Sequence, residues 1–135
     1  MASFSEYLEA QIGNWLLGST FVAAPANVYL GLSTVNPTDN GGALAEPSGG
    51  AAYTRKLITF DPIVFVNGVG TTTQNAVDII FPTASADWNT ITHGALFDAS
   101  SGGNMLAHWE WNVAKLIQSG DTFAVAAGLL TFKVR

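Results

Sequence analysis

The sequence predicts a mainly-β chain, an antiparallel β-sandwich of jelly-roll type with one N-terminal α-helix. Short apolar stretches with strand-like alternation recur along most of the chain, separated by turn-forming glycine, proline, asparagine and serine residues. Only the first residues show helical spacing. Strands do not alternate with helices along the chain, which argues against a parallel sheet. We expect one domain, 1–135, with the helix in 1–20 and the sandwich in 27–135.

The helix is predicted to run from Ser3 to Leu17, because Ser3 and Glu6 have capping-box spacing and Gly18 is a suitable stop. Its apolar residues recur at helical spacing and form one stripe: Phe4, Leu8, Ile12 and Trp15. Such a stripe packs on the sheet or docks on a neighbouring subunit, and we include it among the predicted interface residues. The polar face lacks lysine and arginine, which argues against a membrane-surface helix.

A long irregular loop, 34–50, follows the first predicted strand, Val28–Leu32. Loops of this length in a compact domain are usually functional or mobile. We therefore predict a contact loop here, carried by these residues: Asn36, Pro37, Asp39, Asn40 and Pro47.

The remaining strands are predicted from period-two alternation between turn signals such as Asn67-Gly68 and Ser119-Gly120-Asp121. They are Tyr53–Phe60, Ile63–Val66, Thr71–Asn75, Val77–Phe81, Thr90–Asp98, Met105–Trp111, Ala114–Ile117, Thr122–Ala126 and Leu129–Val134. Many short strands at this spacing are typical of an antiparallel sandwich or barrel.

The composition limits the possible partners. Charged residues make up 11% of the chain, against about 25% in ordinary soluble domains, which indicates a surface covered by self-association. The net charge is −5 and the basic residues form no run, which argues against nucleic-acid binding. No cysteine is available for disulfides or thiolate metal sites. We expect neither a membrane span nor a signal peptide, and synthesis in the cytoplasm.

The two histidines are the natural starting point for a catalytic or metal site. His93 and His108 lie on neighbouring predicted strands together with Asp98 and Glu110. Strand parity places His93 and Asp98 on opposite faces, and no metal-ligand motif is present. We therefore expect no catalytic residue, no metal and no cofactor. A small metal-dependent hydrolase would require the ring nitrogens of His93 and His108 to converge on one ion.

Trp109 and Trp111 lie two residues apart on one predicted strand and hence share a face. Three interpretations remain open for that face: a core, a subunit interface or a carbohydrate-binding surface. We include both tryptophans among the predicted interface residues. The carbohydrate hypothesis requires at least one of them to be exposed to solvent beside polar groups.

The segment Trp88–Leu106 carries the motif W-x-x-I-T-H-x-A-L-F-D-A-x-x-G-G-N-M-L. It resembles a family of small virion proteins of tailed bacteriophages, often labelled tail-fibre proteins. Weaker similarity continues through Tyr29–Thr34, Asn36–Thr38, Gly49–Arg55, Ser119–Thr122 and Ala127–Phe132. The resemblance implies a structural protein, and it carries over no catalytic residue.

This resemblance and the composition together predict a non-enzymatic structural protein of a tailed-phage virion. We expect a homotrimer or another symmetric homo-oligomer that contacts other virion proteins, such as the major capsid or tail proteins, and binds neither nucleic acid nor membrane. A capsid decoration or cement protein is the favoured placement, and a tail-fibre or baseplate component contacting the host is the alternative. A carbohydrate-binding module is a more distant alternative.

Overall fold

A computed structural model describes residues 2–20, 22–48 and 51–134. Its elements are β1 (Ser3–Phe4), α1 (Glu6–Leu16), β2 (Val28–Ser33), β3 (Lys56–Ile58), β4 (Val64–Val66), β5 (Gly70–Gln74), β6 (Ile79–Ile80), β7 (Asn89–Phe97), β8 (Met105–Ile117), β9 (Ala124–Val125) and β10 (Thr131–Val134). The mainly-β antiparallel sandwich with one N-terminal helix is thereby confirmed. Residues Gly49 and Gly50, at the end of the predicted long loop, lie outside the described residues.

Three antiparallel sheets make up the sandwich. The largest has the strand order β1-β8-β7-β2-β3, the second is β10-β5-β4, and β6 pairs with β9 in a short ribbon. Several strands are shorter than their alternation predicted; Tyr53–Phe60, for example, contains only the strand Lys56–Ile58. The side chains of Tyr53 and Arg55 instead bond to a neighbouring loop, so this end of the segment serves a tertiary contact.

The N-cap of the helix is Ser5 and not Ser3, so it lies two residues later than predicted. The Ser5 hydroxyl accepts a hydrogen bond from the Leu8 amide at 3.2 Å. Ser3 and Phe4 instead extend the large sheet by pairing with His108 and Ala107 of β8. The predicted capping box was therefore wrong: pairing at the sheet edge takes the residues that local spacing assigned to the helix.

The long hairpin β7–β8 contains an irregularity that shifts strand parity. Ile91 pairs with Lys115, whereas His93 pairs with Glu110, so β8 has extra residues at 111–114. This bulge lies where the sequence predicted a break between two strands. A bulge reverses the inward and outward assignment beyond it, which simple alternation does not anticipate.

The main core lies between the large sheet and the two smaller ones. Trp88, Phe81 and Phe123 meet there edge to face, and Leu30 and Ile91 are fully buried beside them. The Trp88 indole donates a hydrogen bond to the Ala51 carbonyl at 2.7 Å, which satisfies its only polar group. This cluster supplies most of the apolar burial that stabilises the fold.

A second, smaller cluster covers the opposite face of the large sheet. Ala95, Phe97 and Met105 are buried there, and Leu44 from the loop between β2 and β3 packs against them. The large sheet is therefore covered on both faces, by the smaller sheets on one side and by residues 34–48 on the other.

Gly94 of β7 allows the close packing of two tryptophans on the inner face. A Cβ atom added at Gly94 would lie 2.6 Å from Cζ2 of Trp109 and 2.8 Å from Cζ2 of Trp111. Because both neighbours are large rings inside a packed core, we expect Gly94→Ala to lower the free energy of unfolding by about 1–3 kcal/mol. Urea denaturation of the full chain measures this loss.

Gly13→Ala in the helix is the matched control, since nothing lies within 4 Å of a Cβ atom at that position. Replacing a mid-helix glycine by alanine removes backbone entropy from the unfolded chain, so this variant is expected to gain about 0.5–1 kcal/mol. Equal changes in the two variants would contradict the packing role of Gly94.

Candidate functional site

Residues 34–48 form a cover over the outer face of the large sheet. Pro37 is fully buried and Pro47 is half-buried, whereas Asn36, Asp39 and Asn40 are exposed. The predicted contact loop is thus divided: its prolines pack inward, and three polar residues form an exposed rim.

Short-range side-chain bonds hold this rim in shape. The Asn36 carboxamide oxygen accepts from the Thr38 amide at 2.9 Å, and that of Asn40 accepts from the Gly42 amide at 2.8 Å. Thr38 has a positive φ of 64°, a conformation that few non-glycine residues adopt and that these bonds support. The rim is therefore an ordered surface feature.

The buried guanidinium of Arg55 joins the cover to the β7–β8 turn. It makes two hydrogen bonds of 2.8 Å to the two carboxylate oxygens of Glu46. Its third nitrogen donates to the carbonyls of Ala99 at 3.1 Å and Gly102 at 2.8 Å. The guanidinium carbon lies 3.4 Å from the centre of the Phe97 ring. Four hydrogen bonds and one ring contact thereby hold this cation in place.

Tyr53 extends the same network to strand β2. Its hydroxyl donates to Glu46 Oε1 at 2.7 Å and accepts from the Leu32 amide at 2.9 Å. Burial, reinforced by the adjacent Glu46 carboxylate, raises the pKa of Tyr53 far above its usual value. The phenol therefore stays protonated and remains a donor at all physiological pH values.

Gly31 leaves the space that this network needs. A Cβ atom there would lie 2.7 Å from the Phe97 ring and 2.9 Å from Glu46 Oε1. The sequence pattern did not predict that Glu46, Tyr53 and Arg55 form a group. Tyr53 and Arg55 share strand parity, and a basic residue in an apolar segment needs an acidic partner when buried. Nothing local identifies that partner as Glu46.

Both histidines face the cover and have separate partners. His108 is buried, and its Nε2 lies 2.8 Å from Oδ1 of Asp39 on the rim. The Nδ1 atom of His93 lies 2.8 Å from the Thr92 hydroxyl, with which it forms a hydrogen bond. Burial lowers the pKa of His93, the Glu110 carboxylate raises it, and His108 lowers it further.

The acidic residues near these histidines do not complete a metal site. Asp98 instead accepts two hydrogen bonds from Asn104, at 2.7 Å from the amide and 2.9 Å from the side chain, and so closes the turn. Within 2–20, 22–48 and 51–134, no group of three or more His, Asp or Glu residues could hold a metal ion. The hydrolase hypothesis gains no support from this arrangement.

Trp109 and Trp111 pack edge to face on the inner side of the sheet, with ring centres 5.3 Å apart. Trp109 is only 7% exposed and Trp111 is half-buried; neighbouring Phe132 and Phe123 cover them. Both indole nitrogens are buried without a hydrogen-bond partner among the described residues. A cleft of about 190 Å³ lies beside them. The core interpretation fits Trp109, which is not the exposed stacking platform that a sugar face requires.

The apolar stripe of the helix is covered only at its beginning. Phe4 and Leu8 are half-buried, whereas Ile12 and Trp15 are 37% and 65% exposed. Leu16 and Leu17 continue the exposed surface, and we call residues 12–17 the distal helix surface. In the described part of the chain, the helix falls short of the length and apolarity needed to cross a membrane.

Comparison with known proteins identifies a family relationship. A family model described as Podophage GP4 fiber I protein gp80 matches residues 3–133. This range includes the helix, all three sheets and the Trp88–Leu106 motif. No curated protein matches the chain. The resemblance to phage tail-fibre-type virion proteins is confirmed by the family match.

The Arg55 network leads to a stability prediction. Arg55→Met leaves the Glu46 carboxylate without its cationic partner, and we expect a loss of about 3–5 kcal/mol in the free energy of unfolding. Lys56→Met changes the adjacent residue, for which the described structure shows no ion pair, and should alter stability by no more than about 0.5 kcal/mol. Urea denaturation compares the two variants, and equal effects would refute the structural role of the ion pair.

Proposed function

Because this chain belongs to the Podophage GP4 fiber I protein gp80 family, we propose that it is a non-enzymatic subunit of a podophage tail fibre. The observation that carries this proposal is the match over residues 3–133, which takes in nearly the whole chain. His108 and the Arg55–Glu46 ion pair hold residues 34–48 against neighbouring segments, which suits a structural role.

The family description favours the tail-fibre placement over capsid decoration. From the sequence, capsid decoration was the favoured placement because a small single domain suits a shell surface; the family match does not support that placement. In the fibre role, the subunit is made in the host cytoplasm and incorporated into the virion. It forms a homotrimer or another symmetric oligomer and contacts neighbouring tail proteins.

The distal helix surface is the best candidate for attachment to another virion protein. Trp15 and Leu16 are 65% and 75% exposed on a helix without buried residues. Ile12 lies one turn earlier, so the three side chains form a short apolar edge of the helix. Such an edge can lie in an apolar groove of another protein. The first turn carries Glu6 and Glu9, and its last turn carries no basic residue. The groove that receives it is accordingly expected to be apolar with neutral or basic margins.

Imaging of virions tests the placement. We expect particles that lack this protein to lose density at the tail fibres and to keep an unchanged capsid surface. Loss of density from the capsid surface would instead support decoration, and unchanged particles would refute a virion role. Cryo-electron microscopy of wild-type and deletion phage makes this comparison.

Trp15→Ser tests the attachment surface. Since exposed tryptophan anchors commonly contribute at least about 2 kcal/mol to an interface, binding to the virion is expected to weaken by about thirtyfold or more. The fold should be unaffected because Trp15 is largely exposed. Copies per particle are measured by quantitative immunoblotting of deletion phage supplied with the variant.

Leu129→Ser is the matched control for this test. Leu129 is 74% exposed but lies outside the helix, between β9 and β10. Normal incorporation of this variant and poor incorporation of Trp15→Ser would support the distal helix surface, whereas equal incorporation of both would reject it.

A further inference from the structure

The β4 segment is an apolar strand that the described structure leaves uncovered on both faces. Ile63 and Phe65 are 69% and 72% exposed, and Val64 and Val66 are 56% and 39% exposed. Successive side chains of a strand point to opposite faces of its sheet, and normally one of these faces is buried while the other is exposed to solvent. Here neither set reaches the core, so residues 63–66, which we call the β4 edge, need another partner.

The backbone of this strand is also half unpaired. In the sheet β10-β5-β4, strand β4 bonds to β5 through the pairs Val64–Thr72, Phe65–Thr71 and Val66–Gly70. Its other side has no hydrogen-bonded neighbour within the described residues. Alternate residues of an antiparallel strand direct their N–H and C=O groups to that side. The missing partner is therefore best supplied by another strand.

The two edges of this sheet differ in their protection. The β10 edge carries Lys133, an exposed charged residue that opposes pairing with another chain. The β4 edge carries none, and residues 62–77 contain no charged side chain at all. The nearest acidic residue, Asp61, accepts a hydrogen bond from Gln74 of its own sheet at 3.1 Å. Nothing on the β4 edge would repel an approaching strand.

We propose that the β4 edge pairs with the β4 edge of a second copy of this chain, joining two three-stranded sheets into one. A two-fold contact places the edge against itself, and this edge meets itself without opposing like charges. Its apolar side chains then cover one another while the free backbone groups form the ladder. This two-fold contact joins copies in pairs and is not the contact that would build a homotrimer. It rests on the proposed structural role only for its place in the virion.

The size of the surface sets the expected strength. Four apolar residues per copy are far fewer than the 20–30 or so of a standard interface, so the isolated chain is expected to associate only weakly, with dissociation at high micromolar concentrations or above. The assembled fibre would add further contacts through its other subunits. Dilution through this range should therefore shift the wild-type chain from oligomer to monomer.

Phe65→Lys is the variant that tests the edge. It removes the most exposed apolar side chain of the strand and places two cations near the two-fold axis, so self-association should weaken by about tenfold or more. Light scattering coupled to size exclusion measures the mass from micromolar to millimolar concentrations. Val113→Lys is the matched control, because Val113 is 71% exposed on the β8 bulge and lies away from β4.

Hydrogen exchange of the wild-type chain gives a second test that needs no variant. We expect amides on the unpaired side of residues 63–66 to become protected as concentration rises, while amides at 111–114 do not change. Concentration-dependent protection confined to these residues supports strand pairing, even if Phe65→Lys fails to fold.

Three results would overturn the inference: a wild-type chain that stays monomeric throughout, an oligomer that Phe65→Lys and Val113→Lys leave equally intact, or an oligomer without protection at residues 63–66. None of these results would count against the proposed fibre role, because imaging of virions tests that role separately. Conversely, the protein could form the β4 dimer in solution and yet be absent from virions. That outcome would refute the fibre role and leave the β4 pairing supported.

Discussion

The buried ion pair between Arg55 and Glu46 is the interaction on which the rest of this face depends. It connects the cover of residues 34–48 to the β7–β8 turn and, through Tyr53, to strand β2. Removing charges from water is costly, so burying this pair requires an arrangement in which both charges are satisfied. Here that arrangement places the cover over Phe97 and keeps the polar rim at the surface.

Two glycines make the covered sheet possible, one on each face. Gly31 leaves room for Phe97 and Glu46 on the outer side, and Gly94 leaves room for the two tryptophans on the inner side. In both places a large ring lies directly on the backbone, where a methyl group would collide with it. Both faces of the large sheet are therefore closely packed.

The low charge content of the chain agrees with the presence of uncovered apolar surfaces among the described residues, of which the distal helix surface and the β4 edge are two. The distal helix surface makes contacts mainly through its side chains, because most backbone groups of a helix bond to one another. Such a surface fits a groove in another protein. The β4 edge offers unpaired backbone groups as well, as suits a strand. The two surfaces therefore call for different partners. In the proposals above these are another virion protein for the distal helix surface and a second copy of the chain for the β4 edge.

The sequence by itself determined the fold class, the helix, the approximate strand positions and the family, because period, turn residues and a contiguous motif are local properties. Only the tertiary structure decided that Ser5 caps the helix and that Glu46 is the partner of Arg55. It also decided that Trp109 is buried while Phe65 is exposed. These features depend on contacts between distant segments or on a bulge that reverses strand parity. The spacing of residues within one segment predicts neither.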